Sequence, residues 1–82
     1  MANQKNKARR NDELLKAVGV NIRCYRKQKN LSMEQLAVLT NMELKQIYNY
    51  EYGKVNIDIS MLSVIAEALG IEANLLLIVK SS

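Results

Sequence analysis

Residues 31–53 read LSMEQLAVLTNMELKQIYNYEYG. Ser32 is followed three residues later by Gln35, the spacing of a capping box, so a helix opens at Met33. Leu36, Ala37 and Leu39 give it an apolar face. Thr40-Asn41 breaks it, because Asn tolerates the left-handed conformation that a sharp turn requires. A second helical pattern runs from Leu44 to Tyr52. At about 100° per residue, Leu44, Ile47, Tyr50 and Glu51 share one side, and Lys45, Asn49 and Tyr52 fall opposite. Tyr48 lies on the flank. Gly53 suits the residue after the helix. The stretch is therefore two short helices joined by a tight turn.

The flanks extend the pattern. Upstream, Leu14, Val18, Ile22 and Tyr25 recur at helical spacing between Asp12 and Lys29. Asp12 and Glu13 begin this run, and Arg26, Lys27 and Lys29 end it, which complements the helix dipole. Gly19 is a poor helix former, so the helix is expected to start nearer Ala17. Asn30 suits a left-handed cap, with Leu31 folding back. Downstream, Asp58 can cap a helix carrying Ile59, Leu62, Ala66 and Leu69. Gly70-Ile71 closes it in the manner of a Schellman motif. Residues 72–80 are apolar nearly all round, and the pattern leaves helix and strand open. The expectation is an all-α compact bundle of about five short helices. Its expected core is Val18, Ile22, Tyr25, Leu36, Ala37, Ile47, Tyr50, Leu62, Ala66 and Leu69.

Composition narrows the chemistry. The chain has 82 residues, no His and one Cys. A His/Cys metal site, a Ser-His or Cys-His pair and an internal disulfide are thereby excluded within one chain. No cofactor, metal or catalytic residue is expected. The longest apolar run, Leu75 to Val79, is far short of the ~20 residues that span a bilayer, and the polar, basic N-terminus lacks the apolar stretch of a signal peptide. The net charge is +4. Lys5, Lys7, Arg9 and Arg10 account for all of it, since elsewhere eight acidic side chains balance the basic ones. Residues 1–12 thus read as a basic, flexible arm, and residues 13–80 as one domain. The arm suits an electrostatic contact with nucleic acid; a solvated tail has the same composition.

Two short helices joined by a turn of three to four residues make a helix-turn-helix. The surrounding residues sharpen this: Ile22-Arg23-Cys24-Tyr25-Arg26-Lys27, Leu31 to Ala37, Ile47, Tyr50-Glu51-Tyr52-Gly53-Lys54, and Leu62 through Ile71. As an ordered set over roughly residues 17–77, they resemble the phage-repressor-type (Cro-like, Xre-type) helix-turn-helix family, with its lambda-repressor-like fold. The resemblance implies sequence-specific binding of double-stranded DNA, with the second helix of the motif in the major groove. The matching base-contacting positions are Leu44, Lys45 and Asn49. Lys can donate to guanine, Asn can pair with adenine, and Leu suits a thymine methyl. Phosphate contacts are expected from Ser32, Met33 and Gln35 at the start of the first motif helix, and from Tyr48, Tyr52, Lys54 and Asn56. Arg9 and Arg10 join them from the arm. Arg26 and Glu51 match a structural ion pair. The family usually has Gln at Met33, Ser or Thr at Glu43, and Gly at Asn41.

Family members are commonly dimers. Five consecutive apolar residues cannot all be buried by one small domain. A homodimer interface is therefore expected at Leu75, Leu76, Ile78 and Val79, aided by Met61 and Ile65. The resulting expectation is a dimeric, cytoplasmic, nucleoid-associated repressor, bacterial or phage-encoded, reading a palindromic operator. The alternative is an antitoxin-like module that binds a protein partner, with DNA binding secondary or lost. No membrane association is expected.

Overall fold

The computed structural model describes residues 10–80. Helix α1, Asp12–Gln28, is capped by Asn11, whose side chain accepts from the Leu14 N–H at 3.0 Å. It does not wait for Ala17: Gly19 sits within a continuous helix. The reason is tertiary. A Cβ at Gly19 would stand 2.7 Å from the Tyr50 carbonyl oxygen, so glycine is what lets the end of a later helix lie against α1. Contact across that seam outweighs the ~1 kcal/mol local cost of glycine in a helix. Asn30 adopts φ 57°, and the Leu31 N–H returns to the Arg26 carbonyl at 3.1 Å.

Helix α2, Met33–Thr40, carries both halves of the capping box: Ser32 Oγ accepts from the Gln35 N–H at 3.0 Å, and Gln35 Oε1 accepts from the Ser32 N–H at 2.8 Å. It runs one residue past Leu39. Thr40 is buried, and its hydroxyl donates to the Leu36 carbonyl at 2.8 Å, which satisfies it inside the last turn. Asn41 then turns the chain at φ 57°. Helix α3, Leu44–Glu51, ends one residue before Tyr52, and Gly53 follows at φ 64°. Helix α4, Ile59–Leu69, is capped by Asp58, which accepts from the Met61 N–H at 2.8 Å. Gly70 closes it at φ 70°, with the Ile71 N–H donating to the Ala66 carbonyl. Residues Ala73–Leu77 form a short 3₁₀ segment. The described residues thus hold four α-helices, this segment and no strand.

Nine of the expected core residues are buried; Tyr25 packs against the core from a partly buried position. Leu15, Ile65 and Leu76 join them. The last two correct the expected dimer surface. Ile65 and Leu76 have no exposed area at all, because each is packed into the protomer's own core. Met61 is also partly buried, packed against the core beside Gln46. The 3₁₀ geometry resolves the apolar run by turning Leu76 inward and leaving Leu77, Ile78 and Val79 exposed. Asn21 holds this end in place: its Nδ2 donates to the carbonyls of Leu76 at 3.0 Å and Ile78 at 2.9 Å.

Candidate nucleic-acid interface

The orientation of α3 is set from beneath by one ion pair. Arg26 Nε donates to Glu51 Oε2 at 2.6 Å and Nη2 to Glu51 Oε1 at 2.9 Å, a bidentate fork. The third guanidinium nitrogen, Nη1, donates to the Leu31 carbonyl at 2.8 Å. One side chain of α1 therefore ties the entry to α2 to the end of α3. Both partners are buried, Glu51 to 1% exposure. The hydrogen bond to Glu51 raises the Arg26 pKa above its ordinary value, against the opposing effect of burial.

On the opposite side, α3 presents an outward row of Lys45 and Asn49, with Tyr48 on the flank and Leu44 at the start of the helix. Leu44, Lys45 and Tyr48 are exposed and Asn49 is half-buried. Among the described residues, neither Lys45 nor Asn49 has a side-chain hydrogen bond or an ion pair, and Lys45 stands one helical turn before Asn49 on the same face. Tyr52, the cap of α3, lies beyond them, and its ring meets that of Tyr48 at a centroid distance of 4.7 Å.

Two cations flank these rings. The Arg23 guanidinium lies 5.0 Å from the Tyr52 centroid, and Lys54 Nζ lies 6.0 Å from that of Tyr48. Arg23 also donates to the Glu51 carbonyl at 3.3 Å. Sequence reasoning missed Arg23 as a site residue. It is a basic residue on α1 with no local mark of its role, since its partner ring comes from the end of α3.

The expected phosphate-contacting residues divide into groups. Tyr48, Tyr52 and Lys54 form the cluster just described, and Asn56 is exposed in the loop that follows. Arg10 reaches this same region: Nη2 donates to the Lys54 carbonyl at 3.3 Å, and Nε pairs with Asp12 at 3.2 Å. Arg9 lies outside the described residues. At the start of α2, Ser32 and Gln35 spend one oxygen each on the capping box, which leaves the Ser32 hydroxyl proton and the Gln35 amide nitrogen to donate outward. Met33 is partly buried against the core, so its outward polar group is the backbone N–H of the first helical turn.

No group of three or more His, Cys, Asp or Glu side chains that could hold a metal occurs among the described residues. No helix there is long and apolar enough to cross a membrane.

A paired α2 and α3 with α3 turned outward define a helix-turn-helix protein. The helix-turn-helix domain family matches residues 19–81, and the chain belongs to it, within the Cro-like (Xre-type) kind. Solved structures agree. The restriction-modification controller protein C.AhdI from Aeromonas hydrophila is 32% identical, with a TM-score of 0.73 over 76% of this chain and 94% of that one. A hypothetical transcription factor, NHTF, from Neisseria is 31% identical, with a TM-score of 0.77 over 88% of this chain and 85% of that one. The clp gene regulator ClgR from C. glutamicum, 23% identical with a TM-score of 0.74 over 78% and 83% of the two chains, shares the fold. No curated protein sequence matches. The family and fold are those of DNA-binding regulators and not of enzymes.

Proposed function

We propose that this chain is a sequence-specific double-stranded DNA-binding regulator, a cytoplasmic repressor that occupies a palindromic operator as a homodimer. Helix α3 lies in the major groove with Leu44, Lys45 and Asn49 at the base edges. Phosphates are met by the start of α2 and by the cluster of Tyr48, Tyr52, Lys54 and Asn56. The basic N-terminal stretch before α1 adds Arg9 and Arg10.

The observation that carries this reading is the outward row on α3. Lys45 and Asn49 have chemistry suited to guanine and adenine, and among the described residues neither makes a side-chain hydrogen bond or an ion pair. The pair Arg26–Glu51 holds that row at a fixed angle to α2. The dimer reading is supported by exposed apolar residues on one side: Val20, Ile78 and Val79 line a shallow hollow with Ala17 and Asn21. A two-fold pair would set two α3 helices about 34–36 Å apart, one turn of DNA.

Selection from random duplexes at stated salt tests the reading. A palindromic consensus is expected. Asn49→Ala should weaken consensus binding by about 1–3 kcal/mol and relax one base position per half-site, while nonspecific binding stays level. Failure to enrich any sequence would defeat it.

A second reading, a protein-binding module, is favoured by one other feature. Val38 and Leu39 are exposed on the outer side of α2 and line an apolar groove with Leu31. On that reading a protein partner covers α2, and DNA binding is secondary or lost.

A further inference from the structure

We propose that Met33, Leu44 and Tyr48 form a cleft that reads the C5-methyl group of a pyrimidine. Thymine would then be favoured over uracil, and 5-methylcytosine over cytosine, at one base pair. This rests on the reading of α3 as the helix that enters the major groove.

The cleft lies between the first turn of α2 and the first turns of α3. Its volume is about 310 Å³, and Glu34 and Lys45 complete its lining. It therefore opens beside Lys45, on the row already assigned to base edges. Three of the five lining side chains, Met33, Leu44 and Tyr48, are apolar or aromatic. The base-pair edges in the major groove offer donors, acceptors and one kind of apolar group, the C5-methyl. The apolar part of the hollow thus has one complementary group on a base pair, that methyl.

Two further observations fit a built wall. The Tyr48 ring is held in place, with Tyr52 4.7 Å away and Lys54 Nζ 6.0 Å away. Met33 is rooted against the core, so its thioether is a fixed but adaptable surface. The charge on the rim points the same way. One charge of each sign lines it, Glu34 and Lys45, and the Glu34 carboxylate can accept from an exocyclic base amine.

The experiment uses the full chain and a duplex enriched by selection at fixed salt. Each thymine in turn is replaced by deoxyuridine, and each cytosine by 5-methylcytosine. A C5-methyl that enters the cleft is worth about fourfold in affinity per bound copy, the effect of burying one methyl-sized group. One thymine position should show that loss. Cytosine placed there should bind more tightly by a similar factor once methylated. Leu44→Ala should remove both ratios, and because Leu44 is exposed the variant should melt like the parent. Met33→Gln, a substitution that lines the cleft with an amide, should remove them as well. The inference is overturned if no pyrimidine responds to its methyl, or if the ratios persist in Leu44→Ala. A duplex that is selected and needs Asn49 but ignores methyls defeats this inference alone. A chain that selects no duplex defeats the DNA reading and this inference with it.

Discussion

Replacing Glu51 by Gln tests how the recognition face is held. The amide has nearly the shape of the carboxylate and keeps one oxygen for Arg26, but it removes the countercharge. Arg26 is buried, makes two bonds of 2.6 and 2.9 Å to Glu51, and among the described residues has the Leu31 carbonyl as its other partner. Removing one member of a buried pair costs about 3–5 kcal/mol, because the remaining charge stays desolvated. An 82-residue chain at roughly 0.05–0.15 kcal/mol per residue has about 4–12 kcal/mol in total. The penalty is therefore about a quarter of the stability or more. Urea titration followed by helical circular dichroism measures it from the midpoint at constant slope. The double substitution Arg26→Met with Glu51→Leu should recover most of the stability, since a well-packed apolar pair can replace a buried ion pair. A Glu51→Gln protein within about 0.5 kcal/mol of the parent, the range of ordinary surface changes, would refute the reasoning.

Gly19→Ala adds a helix-favouring methyl but places it against the end of α3. It should lower stability by about 1–3 kcal/mol in the same titration. Deleting residues 1–10 removes the surplus positive charge. If the arm meets phosphates, the slope of log K against log salt should flatten by ~0.9 for each phosphate no longer neutralised, with sequence preference retained. Ile78→Glu with Val79→Glu should yield a folded monomer in sedimentation, whereas Leu76→Ala should cost about 2–5 kcal/mol because that side chain fills the protomer's own core.

Local rules carried the helix ends. Asn30, Asn41, Gly53 and Gly70 all adopt the left-handed backbone that their chemistry permits, and Ser32 and Gln35 make their reciprocal cap. Each of these depends on residues a few positions apart. What escaped the sequence depends on distant ones. Gly19 looked like a helix breaker because its reason, the carbonyl of Tyr50, is far along the chain. Helix α4 is apolar on more than one side, so its periodicity could not decide whether Ile65 faced the core or a partner. The run 75–79 has no periodicity, and only its 3₁₀ winding separates buried Leu76 from exposed Ile78. In the candidate site, the outward positions of Lys45 and Asn49 followed from the helical wheel. The stacking of Arg23 on Tyr52 did not, since it joins α1 to the end of α3.

The Asn21 amide joins positions 55 and 57 residues apart. Helical bundles usually assemble from near neighbours and so fold fast. Here the first helix finds part of its lining only when the last segment arrives, bringing Leu76 into the core. During synthesis, at roughly 5–20 residues per second, α1 through α4 emerge with that slot still open. A nascent chain or a proteolytic fragment stopped before Leu76 holds both motif helices yet lacks the segment that packs on α1 and α4 and completes the shared core. Competence to dock should consequently appear only once Leu76 has joined the core, and fragments that stop before it should compete poorly for the same site.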